Sequence, residues 1–364
     1  MNYYNIIMLI TLSTLVLMLG VISCDHNISK KKRNSFIAIY ILIIVASSCE
    51  WIGVCLDGIS GNAVVLHKFV KFLEFLITPI FPVIYSKTIF SVSRKHSYWE
   101  IVFLMMLVFY SISDFISIHY EFIFYVDSEG YYHHADFYNI YVFAFILSGI
   151  YFFKKMFEFS KYYQNRDVIV LLMIVVFIMI GVSIQFIVPS AKVTWLTIGI
   201  SSIFIYFYYN QITMYVDYLT KLLNQRSYKT YLENVSFRVV ILLFDIDNFK
   251  SINDNLGHVF GDTVLSIVGK TIKEVYSNYG YCYRIGGDEF CVILTKYDSV
   301  KELNDVFIDK LDKMRQSEPN LPYVSVGSAY FEPGYQDISD AIKSADENLY
   351  LQKSKLKSER ESKT

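Results

Sequence analysis

Charge is scarce in this chain. Only 18% of its 364 residues are Asp, Glu, Lys or Arg, while 54% are hydrophobic. Soluble domains carry about 25% charged residues, so the shortage points to a membrane. Net charge is missing too: 33 basic and 34 acidic side chains leave −1, which excludes a general pull toward nucleic acid. Proline falls to six residues and there is no Ser/Gly-rich tract, which argues against long flexible linkers. The five cysteines, Cys24, Cys49, Cys55, Cys282 and Cys291, form neither metal-ligand pairs nor a disulfide framework and read as buried free thiols.

What is present is uneven. Up to about residue 217, long apolar runs alternate with short charged loops; beyond it, charges are frequent and strand-like and helix-like segments alternate. This predicts an all-α membrane domain (residues 1–210), a connecting helix (211–226), a soluble α+β domain (217–357) and a tail (358–364). A spanning helix needs about 20 mostly apolar residues. Seven runs qualify: Tyr3–Ser23, Ser35–Leu56, Ala63–Phe90, Ile101–His119, Phe137–Phe153, Val168–Val188 and Val193–Tyr215. The loops after the first, third and fifth hold Lys30–Arg33, Arg94 with Lys95, and Lys154, Lys155, Lys161 and Arg166, whereas the alternate loops are poor in Lys and Arg. The positive-inside rule then places the amino terminus outside and the soluble domain in the cytoplasm. Dropping the third span would break the alternation.

Ionisable groups within spans are costly and need a reason. At about 1.5 Å per residue, Glu50 and Lys71 lie about 10 and 12 Å below the outer ends of their spans, close enough to pair. His67, Lys71 and Glu74 share one helical face, and Asp114 sits near the outer end of span four. Two readings stand: internal ion pairs that lock the bundle, or an outward-facing pocket for a small polar ligand, formed by Glu50, His67, Lys71, Glu74 and Asp114. Pro79 and Pro82 predict a kink beside it. The loop YYHHADFY, with His133 and His134, reads as a solvated loop rather than a metal site.

In the soluble half, no Gly or Pro interrupts Ile203 to Glu233, so one helix is expected to run from the last span into the soluble domain. The run RVVILLFDIDNFK reads as a buried strand that ends in acids, with Asp245 and Asp247 on one face. A carboxylate closing a buried strand needs a cation or a partner. Further on, Tyr281–Ile285 and Phe290–Leu294 form a hairpin around Gly286–Gly287. The order βα-ββ-αβ-α predicts a ferredoxin-like antiparallel sheet with helices on one face. If the Asp245 strand neighbours the hairpin, Asp245 and Asp288 converge, and two oxygen-only ligands suit Mg²⁺ with substrate phosphates. Glu289 is expected on the other side of the turn, as a base or second ligand. Residue chemistry alone thus reaches metal-dependent phosphoryl transfer without a substrate.

The segments DYLTKLLNQR, FDIDNFKSINDNLGHVFGD, RIGGDEF, VSVG and ADENLYLQK together resemble the GGDEF-domain diguanylate cyclases, from Asp217 to about Lys357. That resemblance implies a nucleotidyl-cyclase, palm-like fold that condenses two GTP into cyclic di-GMP with release of pyrophosphate, in a homodimer in which each domain holds one GTP. It implies two Mg²⁺ per site, with Mn²⁺ as a substitute, held by Asp245, the carbonyl of Ile246 and Asp288. It assigns phosphates to the backbone around Phe249 and to Lys250, guanine to Asn253 and Asp262, deprotonation of the 3′-hydroxyl to Glu289, and pyrophosphate to Lys353. Arg284 reads as a structural ion-pair partner. Two departures stand out. The Arg-x-x-Asp inhibitory site falls on Ser277-Asn278-Tyr279-Gly280 and is absent. The usual Gly-Arg-Asn ending is replaced by KSKLKSE, where Lys357 offers a point charge in place of a fork. The alternative reading is a degenerate domain that binds GTP or a partner without catalysis.

Overall fold

The computed structural model describes residues 3–91, 98–164, 168–188, 191–296 and 299–361. The chain divides into two compact units, Met1–Asn210 and Gln211–Thr364. Arg94, Lys95 and Arg166, used above to orient the spans, lie outside the described residues.

The first unit is helical. Helices α1 (Tyr3–Cys24), α2 (Lys30–Leu56), α3 (Ala63–Ile89) and α4 (Tyr98–Tyr120) lead to a short hairpin, β1 (Phe124–Val126) and β2 (Tyr132–His134). Helices α5 (Tyr138–Tyr162), α6 (Val168–Ile187) and α7 (Thr194–Met214) follow. Of these, α1, α2, α4 and α5 are long and apolar enough to cross a membrane by length and composition, and α6 holds a shorter apolar stretch, Ile169–Gln185. Seven were expected; α3, which carries Lys68, Lys71, Glu74 and Lys87, and α7, whose end carries Asn210 and Gln211, are not among these. Cys24 and Cys55, expected to be buried, are exposed. Pro79 and Pro82 lie inside α3. Pro79 has no N–H to give the Phe75 carbonyl one turn back, and the Tyr110 hydroxyl of α4 takes that acceptor at 2.8 Å. A helical defect is thus repaired by a bond between helices, as an apolar solvent requires.

The expected continuous helix from 203 to 233 does not form: α7 ends at Met214 and α8 begins at Gln225 (Gln225–Asn234). Local polar groups replace the missing Gly or Pro as the breaker. Asn224 Nδ2 donates to the Met214 carbonyl (2.8 Å) and Ser227 Oγ to that of Tyr215 (2.8 Å). The Asp217 carboxylate accepts from the Thr220 amide (2.8 Å) and hydroxyl (2.7 Å), and Lys221 adopts φ 60°. Unsatisfied carbonyls at the end of α7 are therefore met by the segment that turns back on it.

Beyond α8 come β3 (Val239–Ile246), α9 (Phe249–Leu256), α10 (His258–Tyr276), β4 (Gly280–Arg284), β5 (Glu289–Leu294), α11 (Val300–Ser317), β6 (Val324–Phe331) and α12 (Ile338–Glu361). The sheet order is β4-β5-β3-β6, with every neighbour antiparallel, the ferredoxin-like arrangement. The helices, however, are not confined to one face. Val240, Leu242, Phe244 and Ile246 of β3 pack with α10 and α11, through Val268, Ile272, Phe307 and Leu311. Val239, Ile241 and Leu243 pack on the other side with Tyr228 and Tyr231 of α8 and Ala341, Ala345 and Leu349 of α12. Burial on both faces accounts for the unbroken apolar run of β3, which a half-exposed strand would alternate. Gly327 of β6 lets α12 settle onto the sheet: an added Cβ would stand 2.2 Å from the Ala345 carbonyl oxygen and 2.3 Å from the Leu349 nitrogen.

Candidate active site and a buried polar cluster

Strand β3 carries Asp245 to the edge of the core. Odd-numbered residues of β3 face α8 and α12, so Asp245 faces α12. Lys353 of α12 reaches it, Nζ to Oδ1 2.6 Å, with the two side chains 36% and 19% exposed. In the ladder Asp245 stands opposite Glu289 on β5 and Ser325 on β6. Directly paired residues project to the same face, so Glu289 shares the face of Asp245 rather than the far side of the turn. Asp247 is on that face too and accepts from Ser325 Oγ at 2.8 Å. Burial pushes the Asp245 carboxyl above the usual aspartate range; the Lys353 ammonium pulls it back, and the charges of Asp288 and Asp247 add to the rise. Asp288 is thereby close enough for its charge to act on Asp245.

Four acids from adjacent strands and loops thus meet at one end of the sheet. Like charges on facing strands are unfavourable unless a cation joins them. The donors are hard oxygens, the set that Mg²⁺ takes, and Mg²⁺ commonly uses only one or two carboxylates beside phosphate oxygens. Among the described residues, no group of three or more His, Cys, Asp or Glu is placed to hold a metal ion. The Ile246 carbonyl belongs to the same strand end.

Beside this edge, α9 opens at Phe249 after Asn248, which adopts φ 55° and places no side-chain cap on the helix. Its first amides, at Phe249 and Lys250, are free to meet an anion, and Lys250 is exposed. Asn253, later in α9, is brought against Gly261 in the first turn of α10: a Cβ there would fall 2.0 Å from Asn253 Oδ1. The exposed Asp262 is the next residue. Gly261 is therefore glycine because Asn253 occupies the space of its side chain. Lys357 lies in α12, and its side chain is outside the described set.

The turn Ile285–Asp288 is closed by Ile285 N–H to Glu289 O (3.0 Å) and Gly286 N–H to the same oxygen (3.3 Å). Neither Gly286 nor Gly287 has positive φ, so turn geometry does not demand glycine here. At Gly287 an added Cβ would meet nothing within 4 Å, which leaves open approach to the backbone. Arg284 fixes the turn. Its Nε and Nη2 donate to the Gly287 carbonyl (3.2 and 2.7 Å), and its Nη1 lies 3.3 Å from both Asp217 oxygens. Burial pushes the Asp217 carboxyl up, but the Thr220 hydroxyl and amide and the Arg284 charge more than offset it, leaving it below the usual range. The segment after α7 also joins the sheet: Leu223 N–H donates to Cys282 O (3.0 Å) and Arg284 N–H to Leu223 O (2.8 Å). Sequence reasoning had Arg284 as an ion-pair residue but missed Asp217 and Leu223 as its partners and Thr220 as the donor that holds Asp217. The DYLT segment was the available signal, since an Asp three residues before a Thr is a local capping pattern.

In the first unit, Lys71 pairs with Glu74 at 2.9 Å and not with Glu50 as expected. Glu50 accepts instead from Tyr4 Oη (3.2 Å) and Gln185 Nε2 (3.3 Å). Glu50, His67, Lys71 and Glu74 are all buried. The YYHHADFY segment is not a free loop. His133 bonds Asp127 (2.8 Å), His134 stacks on Tyr138 at 3.6 Å, and Tyr132 lays its ring 4.6 Å from the Lys71 ammonium. The β1–β2 hairpin so lies over the cluster in place of an open mouth. Asp114 stands apart, fully buried, with neither carboxylate oxygen hydrogen-bonded.

Residues 214–359 match the family described as Diguanylate cyclase, GGDEF domain. The probable diguanylate cyclase DgcJ of Escherichia coli is 33% identical over 136 residues, 37% of this chain and 27% of its own. An uncharacterized membrane protein of Staphylococcus saprophyticus is 29% identical over 189 residues, 47% of this chain and 53% of its own. This chain thus spans about a quarter to a half of the length of these curated relatives. The crystal structure of the GGDEF domain of DgcB from Caulobacter crescentus in complex with c-di-GMP is 26% identical, covering 38% of this chain and 90% of that one, with a TM-score of 0.34.

Proposed function

Because residues 214–359 match the diguanylate cyclase, GGDEF domain family, we propose that the chain condenses two GTP into cyclic di-GMP. The observation that carries this is the meeting of Asp245, Asp288, Glu289 and Lys353 at the strand end beside the uncapped start of α9. Asp245, Asp288 and the Ile246 carbonyl would hold Mg²⁺, which when bound neutralises phosphate charge. The amides at Phe249 and Lys250 and the Lys250 ammonium bind the phosphates. Asn253, seated against Gly261, and Asp262 accept from the N–H edge of guanine. Glu289 takes the proton of the 3′-hydroxyl as that oxygen attacks the α-phosphate of the GTP held by a second copy. A P–O bond forms, the bond to the β-phosphate bridging oxygen breaks, and Lys353 receives the charge of the departing pyrophosphate. Repetition in the other direction closes the ring, so a homodimer is required.

The first unit is proposed as a multi-pass membrane sensor with seven spans, amino terminus outside and GGDEF domain in the cytoplasm. Its extracytoplasmic ligand is bound through the Glu50, His67, Lys71, Glu74 and Asp114 region. The apolar helices support the membrane assignment, and the charged residues of the loops support the orientation. Full-length protein in lipid nanodiscs, given GTP and Mg²⁺, should produce cyclic di-GMP, and Asp288→Ala should abolish it while retaining the native circular dichroism spectrum. GTP binding without turnover in the native chain would instead establish the non-catalytic reading.

A further inference from the structure

His67 is hydrogen-bonded as though one proton short. Its side chain is buried in α3, and Nδ1 lies 3.1 Å from the Gly130 carbonyl at the tip of the β1–β2 hairpin. A carbonyl only accepts, so Nδ1 carries the hydrogen of the neutral ring. Nε2 is then a bare lone pair. It is buried with no hydrogen-bond partner, and it faces Asp57 Oδ1, the C-cap of α2, at 4.0 Å. Two acceptors thus oppose each other inside the fold. The same Asp57 oxygen already accepts from the hairpin, from Tyr132 N–H at 3.2 Å, and Gly58 N–H donates to Gly130 O at 3.3 Å.

We propose that His67 and Asp57 form a proton-binding site, and that a proton on Nε2 latches the hairpin to the outer ends of α2 and α3. The proton turns the opposed acceptors into a charge-assisted bond that closes the 4.0 Å gap, while Nδ1 holds Gly130. The ring then ties α2, α3 and the hairpin together over Lys71, Glu74 and Glu50. Imidazole is the side chain whose ordinary titration spans the physiological range, and Asp57 is 38% exposed, so water delivers the proton. Lys71, one turn on in α3, opposes a second positive charge, but Glu74 lies 2.9 Å from its ammonium. The acid that faces Nε2 is Asp57, 4.0 Å away. Helix α2 contributes Gly53, which leaves space rather than charge, and the hairpin contributes the Gly130 carbonyl. In its consequence for output this deepens the sensor reading above and rests on it; the latch itself does not.

The test is hydrogen exchange of the hairpin amides 127–132 in full-length protein in nanodiscs, from pH 8 to pH 5 and corrected for intrinsic rates. A bond to a charged group implies about tenfold or more slower exchange on the acid side. A second imidazole of this hairpin, His133, is paired to Asp127, so the step must survive His133→Gln and disappear in His67→Gln. Asp57→Asn, a milder change at an exposed position, should remove it too. Protection that does not change with pH, or a step that persists in both His67→Gln and Asp57→Asn, overturns the latch. In sealed vesicles, acidifying only the hairpin side should change the rate of cyclic di-GMP formation in the native chain and not in His67→Gln. A proper exchange step with a flat rate would leave the latch standing and overturn the sensor reading.

Discussion

Replacing Arg284 by lysine separates positioning from mere stability. Arginine reaches Asp217 and the Gly287 carbonyl at once because its donors diverge from one plane; these contacts run from 2.7 to 3.3 Å. A lysine ammonium can serve one of the two. About half the contacts are lost, and hydrogen bonds to charged groups contribute about 1.5–3 kcal/mol each. Arg284 and Asp217 are 16% and 19% exposed, so water compensates part of the loss, and about 1.5–3 kcal/mol in all is expected. At about 2–4 °C per kcal/mol for a domain of this size, the melting point should fall by about 3–12 °C. A domain stable by about 5–15 kcal/mol remains folded at 25 °C, so any loss of activity there is not unfolding. Because Arg284 holds the carbonyl next to Asp288, and a displacement of about 1 Å costs about 100-fold in rate, kcat should drop between 10- and 100-fold with KM for GTP little changed. Steady-state cyclic di-GMP synthesis by full-length Arg284→Lys, beside a melting curve, reads both. A variant with a lowered melting point but kcat within twofold of native would refute the positioning argument.

The remaining expectations concern the same site. Asp245 is held above the usual aspartate range, so it binds its proton more tightly folded than unfolded, and folding stability falls as pH rises through that window. Mg²⁺ should reverse this, raising the melting point by an amount equivalent to about 2.7 kcal/mol at 100 times its Kd, in native protein but not in Asp245→Asn. Asp217 has the opposite sign: its contribution is full above the ordinary aspartate range and lost as pH falls through the lowered folded value, and Asp217→Asn should flatten that acid limb of a melting-point profile. Gly261→Ala pushes on the flexible end of Asn253, so its melting point should change by less than about 1 kcal/mol equivalent while KM for GTP rises about tenfold; an unchanged KM would remove Asn253 from guanine binding. Cyclic di-GMP added in excess should leave the initial rate of the purified enzyme unchanged, since Ser277 and Gly280 replace the charges of the inhibitory site, and strong inhibition would contradict that reading.

Much of the second unit could be read from sequence because its signals are local. The apolar run of β3 and the acids ending it are consecutive, and the glycines beside Asp288 mark a turn. Errors arose where long-range pairing decides. Glu289 was placed by counting outward from the turn, whereas the ladder sets it opposite Asp245. The second helical layer was missed because the strand order fixes the sheet without saying which helix lies on which face. The break after Met214 was missed because Asn224, Ser227 and Asp217 stop the helix with side chains, leaving no Gly or Pro to see. The hairpin over the buried cluster has strands of three residues, too short for alternation to register. His67 was noticed for its helical spacing, yet its role depends on Gly130 and Asp57, far away in the chain.

The seat of α12 on Gly327 makes that helix a lever. The backbone contact lies at Ala345 to Leu349, and Lys353 is eight residues beyond Ala345, about 12 Å along the axis at 1.5 Å per residue. A tilt of about 5° about the contact would carry the ammonium about 1 Å, enough to part it from Asp245. Where Lys353 meets Asp245 is thus governed at a position with no side chain, two residues along β6 from the Ser325 that pairs with Asp245, and a force that rocks the carboxy-terminal helix would act on the candidate site as a dimmer rather than as a switch.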